Sequence, residues 1–160
     1  MVLLGGDNGG FLPIIGQLFN MDSSGVGTNR FGVYCISVSK AHVFGGCGVK
    51  NAGGHGLFAN IGSIISAENA IFTGAGHNGI YSGNSSIVHA IGINVSGALV
   101  NGMCSLRGSI INAVNANARR GGSDSTNDFF VDNGWIDARG GTGGTNITIN
   151  TWSTNGYIRK

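Results

Sequence analysis

The sequence predicts an all-β fold, a right-handed parallel β-helix of about five coils, and two observations support this prediction. One short apolar phrase recurs at a nearly constant interval, as GSIISA (62–67), SSIVHA (85–90), GSIINA (108–113) and, more loosely, NGWIDA (133–138). Its second position is Ser63, Ser86 and Ser109 in the first three copies and Gly134 in the fourth. Glycine is abundant, with 31 residues, whereas proline occurs once. A period of roughly 23 residues is typical of a solenoid, and many glycines are typical of many turns.

Each repeat contains about three short β-type runs, as a β-helix coil requires. In the second repeat we predict these runs at residues 57–59, 63–67 and 70–73, with Gly, Asn and Ser turns between them. Leucine is too scarce for a leucine-rich repeat, and no repeat contains a helix-length segment of 3.6-residue periodicity. We therefore divide the chain into an N-terminal cap or irregular first coil, residues 1–31, and a parallel β-helix with a C-terminal closing segment, residues 32–160.

The doubled isoleucine inside the repeated phrase indicates which face is buried. Neighbouring residues of a strand point to opposite faces, so Ile64 and Ile65 cannot both face the interior. Ile65 shares its face with the small Ala67, whereas Ile64 shares its face with Ser66. We therefore predict an inward row and an outward apolar row, and the outward row is a candidate interface between identical chains. The predicted inward residues are Ile65, Val88, Ile111, Ile136, Ala67, Ala90, Ala113 and Ala138, and the predicted interface between identical chains, which the resemblance described below implies is a trimer interface, is Ile64, Ile87, Ile110 and Trp135.

A second outward row is predicted one residue after a row of apolar residues in the first run of each coil. Its members are Tyr34, Phe58, Tyr81 and Cys104. Rings in such a row could serve self-association or ligand binding, and the sequence leaves both open.

Composition and charge exclude several classes of protein. Nine Lys and Arg against seven Asp and Glu give no basic patch for nucleic acid, so no nucleic-acid partner is predicted. Three cysteines without a C-x-x-C spacing predict buried or half-buried thiols in a reducing compartment, with neither a disulfide framework nor a zinc site. The apolar N-terminal run is too short for a signal peptide, and no stretch is long enough to span a membrane. No membrane insertion, metal or cofactor is therefore predicted.

Repeated G-I-Y-x-x-x-x-S-I-V-x-A coils, followed by GGSDSTND, GGTGGTNITINT and a terminal STNGYIRK, resemble the C-terminal β-helical part of bacteriophage tailspike and tail-fibre proteins. The resemblance covers roughly residues 31–160. It implies a homotrimer on the virion tail that is made in the host cytoplasm, joins the rest of the phage tail and binds bacterial surface polysaccharide at the host cell surface. It also implies that the chain is a distal fragment or a short, separately made piece.

Candidate sites follow from the chemistry of polysaccharide binding and cleavage. Trp135 and Tyr81 are candidate glycan-binding residues because aromatic faces stack on sugar rings. Glycoside hydrolysis commonly uses two carboxylates, and three acids of the last coils could converge or face a partner's acid across a groove between subunits. His55 aligns with Asn78 and Asn101, and we interpret this row as a polar ladder at a turn rather than as a catalytic site. The candidate catalytic residues are Asp128, Asp132 and Asp137.

Three functions stay open at this level. The favoured one is a structural, receptor-binding tip of a phage tailspike. The first alternative is a polysaccharide depolymerase, a glycosidase or a lyase, with carboxylates at a groove between subunits. The second is a bacterial surface adhesin solenoid. A regular threonine array, which an ice-binding solenoid would show, is absent from the outward positions, where Ile, Ser, His and Asn occur.

Overall fold

The protein is a β-solenoid of about five coils, seen in a computed structural model that describes residues 2–11, 20–22, 31–119, 127–142, 147–149 and 156–160. All strand pairings within those ranges are parallel, and the ranges contain no helix. The all-β, coil-by-coil architecture predicted from the repeat is therefore confirmed.

Sheet A forms one face of the solenoid from seven strands in the order β1-β3-β6-β8-β10-β12-β14. Successive coils stack in register, so that Leu57 pairs with Ile80 and Ile80 with Met103. The bounds of these strands are β1 Val2–Gly6, β3 Phe31–Cys35, β6 Leu57–Ala59, β8 Asn78–Ser82, β10 Asn101–Leu106, β12 Asn127–Asp132 and β14 Ile147–Ile149.

Sheet B forms a second face from six strands in the order β15-β13-β11-β9-β7-β4. Its register places Ile64 beside Ile87, Ile87 beside Ile110, and Ile110 beside Trp135. The bounds of these strands are β4 Lys40–His42, β7 Ile64–Ser66, β9 Ile87–His89, β11 Ile110–Asn112, β13 Trp135–Asp137 and β15 Tyr157–Arg159.

The third face is less regular than the sequence predicts. A two-stranded sheet pairs β2 (Asn20–Asp22) with β5 (Gly48–Lys50), but the predicted run at 70–73 is reduced to a bridge at Ile71. The Asn94 side chain accepts a bond from the Ser96 backbone N–H at 3.1 Å, and Asn117 does the same for Arg119 at 3.2 Å. Such local side-chain bonds compete with a ladder, which explains why isolated bridges replace a continuous sheet here.

The N-terminal region, residues 1–31, includes β1, which pairs with β3 in sheet A. The division at residue 31 stays a prediction, since residues 12–19 and 23–30 lie outside the described ranges. Much of the proposed closing segment and of the motifs that carry the tailspike resemblance, at 120–126, 143–146 and 150–155, also lies outside them.

The interior is filled by the rows that the doubled isoleucine predicted. Ile65, Val88, Ile111 and Ile136 are each 0% exposed, and the alanines two residues later are 3% exposed or less. Their strands show the alternating pattern of a sheet with one buried face. The inward assignment is therefore confirmed for Ala67, Ala90, Ala113 and Ala138.

A leucine at Ala113 is expected to destabilise the fold by about 1–3 kcal/mol, because the interior has no room for three further carbon atoms. The control is Asn112→Leu, since Asn112 faces outward on the same strand and leucine there should cost clearly less stability than leucine at Ala113. Urea unfolding of the two variants measures the difference. Equal midpoints would contradict the packing described for this row.

Candidate functional site

An outward apolar row runs along sheet B for its whole length. The register extends the row beyond the predicted members, to Lys40 and Phe11 at one end and to Tyr157 at the other. Exposure is lowest in the middle, where Ile64 and Ile87 are partly buried, and it rises to 36% at Ile110 and 44% at Trp135 toward the last coils and to 74% at Phe11 at the opposite end. We call this row the axial stripe, and it comprises Phe11, Lys40, Ile64, Ile87, Ile110, Trp135 and Tyr157.

A groove of about 470 Å³ opens at the C-terminal end of the axial stripe. One wall is the stripe, and the other is the turn that connects sheet A to sheet B. The Trp135 and Tyr157 rings meet edge to face, with centroids 6.1 Å apart and planes at 76°. The groove is lined by Gly108, Ser109, Ile110, Asn133, Gly134, Trp135 and Tyr157.

The groove forms where the sequence departs from its own repeat. Earlier coils carry a buried serine before the outward isoleucine, but the last phrase has Gly134 before Trp135. A Cβ at Gly134 would lie 2.5 Å from the Ser105 hydroxyl and 2.8 Å from its carbonyl oxygen, so only glycine fits there. The last coil therefore combines a glycine that no side chain could replace with an exposed indole one residue later, in place of the buried serine and the outward isoleucine of the earlier coils. Departures from a local rule often mark functional sites.

A polar row lies two residues beyond the axial stripe on the same face. Asp137 holds Arg139 through two bonds, from Nε at 2.9 Å and from Nη2 at 2.8 Å. The hydrogen bond from Arg139 lowers the pKa of the Asp137 carboxyl, and the charge of Arg159 acts in the same direction. The row comprises His42, Ser66, His89, Asn112, Asp137 and Arg159.

Tyr81 belongs to a column of stacked rings on the outer face of sheet A. The Phe58 ring is parallel to Tyr34, with centroids 5.1 Å apart, and to Tyr81, with centroids 4.8 Å apart. One face of Tyr81 is thus covered by Phe58, and a Cβ at Gly83 would lie 2.8 Å from its ring. A sugar could reach only the remaining face or the edge. The glycan-binding role of Tyr81 stays a prediction, and Trp135 offers the more open ring.

The three candidate catalytic aspartates lie in different settings. Asp128 and Asp132 alternate with the inward Phe129 and Val131 on β12, so both point to the outer side of sheet A. Four residues of strand separate their Cα atoms by about 13 Å, whereas the carboxyl groups of a glycosidase pair lie about 5–9.5 Å apart. Asp128 is also 4% exposed. Asp137 lies on sheet B and is engaged by Arg139. Their catalytic role stays a prediction, with no pair brought together within the described residues.

His55 begins a ladder of polar side chains at the start of the sheet A strands. The Asn78 backbone N–H donates to His55 Nδ1 at 3.4 Å, and the Asn101 amide donates to Asn78 Oδ1 at 2.8 Å. Asn127 continues the ladder by donating to Asn101 at 3.2 Å. Each rung satisfies polar groups of the next coil, as the alignment of these positions predicted. The structure therefore supports the structural interpretation of this row.

Acidification is expected to destabilise the protein through His55. Burial, and then the charge of His77, lower the pKa of His55 from about 6.5 to about 3. Between these two pKa values the unfolded chain binds a proton at His55 and the folded chain does not. The free energy of unfolding therefore falls by up to about 1.4 kcal/mol for each unit by which the pH is lowered in that range. Since the equivalent residues are asparagines, His55→Asn should flatten this dependence. The control is His89→Asn, which also matches the asparagine of the next coil, and urea unfolding from pH 7 to 4 measures both.

The three cysteines are shielded from solvent. Cys35, Cys47 and Cys104 are all buried, as predicted. Burial raises the pKa of Cys35 to about 11, and burial followed by the charge of Asp132 raises that of Cys104 to about 12. Within the described ranges, no group of three or more His, Cys, Asp or Glu side chains is placed to hold a metal ion. Helices long and apolar enough to cross a membrane are also absent from those ranges.

Sequence reasoning missed Tyr157, Phe11 and the role of Gly134. A signal for Tyr157 was available, because GYI at 156–158 repeats GWI at 134–136 one coil later. The sequence offers no such signal for Phe11, because the segment between Phe11 and its partner Lys40 is longer than one regular repeat. The close approach of Gly134 to Ser105 joins residues of adjacent coils that are not neighbours in the repeated phrase.

Comparison of the chain with protein-family models, with curated proteins and with solved structures finds no match.

Proposed function

We propose that the chain is a distal, structural and receptor-binding part of a bacteriophage tailspike, which trimerises and recognises a bacterial surface polysaccharide. It acts at the host cell surface and joins the rest of the phage tail. The observation that carries the proposal is the groove at Trp135 and Tyr157, two exposed aromatic rings at one end of a rigid stack of coils. A concave site with apolar walls and a few polar groups suits a sugar, whose ring has an apolar face and a hydroxylated rim.

The rest of the axial stripe supports self-association. Ile64, Ile87 and Ile110 form an unbroken apolar line on an outer face, and such lines are typical of interaction surfaces. A short solenoid also gains stability when its outer faces are buried against other copies. We assign the aliphatic middle of the stripe to the contact between chains and its aromatic C-terminal end to the ligand.

The depolymerase alternative gains no observation from the described carboxylates. Asp132 and Asp137 lie on different sheets, and Asp137 is occupied by Arg139. A binding function, unlike hydrolysis, requires the groove but no pair of carboxylates.

Replacing Trp135 with alanine is expected to weaken binding of capsular polysaccharide or lipopolysaccharide roughly tenfold, because it removes an aromatic contact worth about 1.4 kcal/mol. The matched control is Phe11→Ala, since Phe11 lies on the same stripe at its opposite end and is 74% exposed. Glycan-array binding followed by calorimetry measures the effect, with the mass of each variant recorded in parallel. Equal losses in both variants, or no binding by the unaltered protein, would contradict the proposal. New reducing ends in the mixture of protein and polysaccharide would favour the depolymerase alternative instead.

A further inference from the structure

Two turns between sheet A and sheet B hold β-branched residues in a conformation that such residues rarely adopt. The φ angle is +60° at Val38 and +53° at Ile61, both in the left-handed region. Among the described residues with positive φ, no other is β-branched. A branched Cβ crowds the backbone in this region, so each of the two turns carries conformational strain.

The shape of the turn accounts for the φ angle but not for the type of residue. The equivalent turns of other coils hold polar residues at positive φ, namely Asn8, Ser85, Arg107 and Asn133. Asparagine adopts the left-handed conformation several-fold more readily than most residues. An asparagine would therefore complete the turns at Val38 and Ile61 with less strain.

Contacts within the chain leave much of the two side chains uncovered. Val38 is 63% exposed, and Ile61 is 49% exposed. They lie in adjacent coils, where the Val38 backbone N–H donates to the Ile61 carbonyl oxygen at 2.8 Å. The two side chains form one exposed apolar patch, which we call the apolar corner. Strain that brings no burial within the chain indicates that the corner is covered by another molecule.

A second copy of the chain is the partner that the surroundings of the corner favour. The apolar corner continues into the axial stripe, since Val38 lies two residues before Lys40 and Ile61 lies three residues before Ile64. Copies arranged in a ring contact each other through two different patches of the same chain. The corner and the stripe are two such patches, side by side on one protomer.

The charges around the two patches are complementary. Asp7 is exposed in the equivalent turn of the first coil, where the Gly9 N–H donates to the Ser37 carbonyl oxygen at 2.6 Å. Lys40 is exposed on the stripe, with its ammonium 5.3 Å from the centre of the Phe11 ring. Neither charge forms an ion pair among the described residues. The lysine stem is long enough to cross one coil spacing of about 4.8 Å, so the acid of one copy can pair with the lysine of the next.

We infer that the apolar corner of one chain packs on the axial stripe of the next chain, and that this contact accounts for the strained Val38 and Ile61. The inference rests on the proposed self-association and identifies the second surface of that contact. Equivalent turns of the later coils are polar, which places this part of the contact in the first coils, away from the groove at Trp135.

Val38→Asn and Ile61→Asn test the inference, because fold stability and association should change in opposite directions. At concentrations low enough to keep the protomers apart, each variant should unfold at a higher urea midpoint than the parent protein. In a sedimentation series over concentration, each variant should associate roughly tenfold more weakly, since the contact loses an apolar side chain. The matched control is Leu99→Asn, which removes a side chain that is 54% exposed from a residue without positive φ. It should neither raise the midpoint nor weaken association.

An exchange of the two charges tests which surfaces meet. At low salt, Asp7→Lys and Lys40→Asp should each associate roughly threefold more weakly than the parent protein. The double variant should recover the parent affinity, because the pair is restored with its signs reversed.

The outcomes separate the inference from the function on which it rests. Corner variants that associate as tightly as the parent, urea midpoints that do not rise, or a charge exchange that recovers no affinity would each overturn the inference and leave the proposed trimer standing. A parent protein that stays monomeric would overturn the trimer and the inference together, and the corner would then belong to a different partner.

Discussion

Replacing Gly48 with alanine is expected to cost the fold roughly 3 kcal/mol or more, enough to unfold a large share of a marginally stable protein. A Cβ at this position would fall on the carbonyl oxygen of Ile71 in the next coil. The obstacle is backbone, which cannot move without breaking the stack, because Ile71 N–H donates to Cys47 C=O at 2.9 Å. Circular dichroism and urea unfolding measure the loss.

The matched control is Gly46→Ala, two residues away in the same coil. Gly46 has a φ of +77°, but a Cβ there would meet no atom within 4 Å. Alanine should therefore cost only about 1–2 kcal/mol, the penalty of a left-handed conformation without a steric clash. If the two variants proved equally stable, close stacking of coils would not be what requires glycine at position 48.

The interior of the solenoid could be predicted from the sequence because equivalent positions of successive coils fill the same kind of interior space and therefore carry similar residues. Ile65 and Ala67 have counterparts at equivalent positions in every later copy of the phrase, so a constant period and strand alternation were enough to assign them to the interior. The ladder that begins at His55 was predictable for the same reason, since stacked coils place equivalent polar residues side by side.

Features that depend on unlike residues were not predictable. Tyr157 follows Trp135 by slightly less than the regular period, and Lys40 precedes Ile64 by slightly more. A search of the sequence at a constant spacing therefore misses both residues, and with them the two ends of the axial stripe. The third face has isolated bridges instead of a continuous sheet because the side chains of Asn94 and Asn117 accept hydrogen bonds from the backbone two residues later. The pattern of hydrophobic residues in the sequence does not predict such local hydrogen bonds. The close approach of Gly134 to Ser105 arises only when adjacent coils stack, and nothing in the repeated phrase predicts it.

Replacing both Ile87 and Ile110 with aspartate is expected to abolish the proposed trimer. Both residues lie in the middle of the axial stripe, where they are Cα partners in adjacent strands. Burial of one isoleucine stabilises a contact by about 1.5–3 kcal/mol, and a symmetric trimer makes each contact three times. Two unpaired carboxylates would also have to lose their water in that contact. The double variant should therefore associate more than about a hundredfold more weakly.

Light scattering at matched concentrations measures this effect as a change from trimer to monomer or to aggregate. The control is His89→Asp with Asn112→Asp, which adds two carboxylates to the same strands and the same outer face, two residues beyond the stripe. The fold of each variant is checked by its urea midpoint, because the outward positions leave the buried rows of Val88 and Ile111 intact.

If the stripe variant remained a trimer, the contact between chains would not lie on the axial stripe. The ring column of Tyr34, Phe58 and Tyr81 would then become the next candidate interface. A monomeric parent protein would contradict the trimer itself, and the axial stripe would then be open along its whole length to other partners.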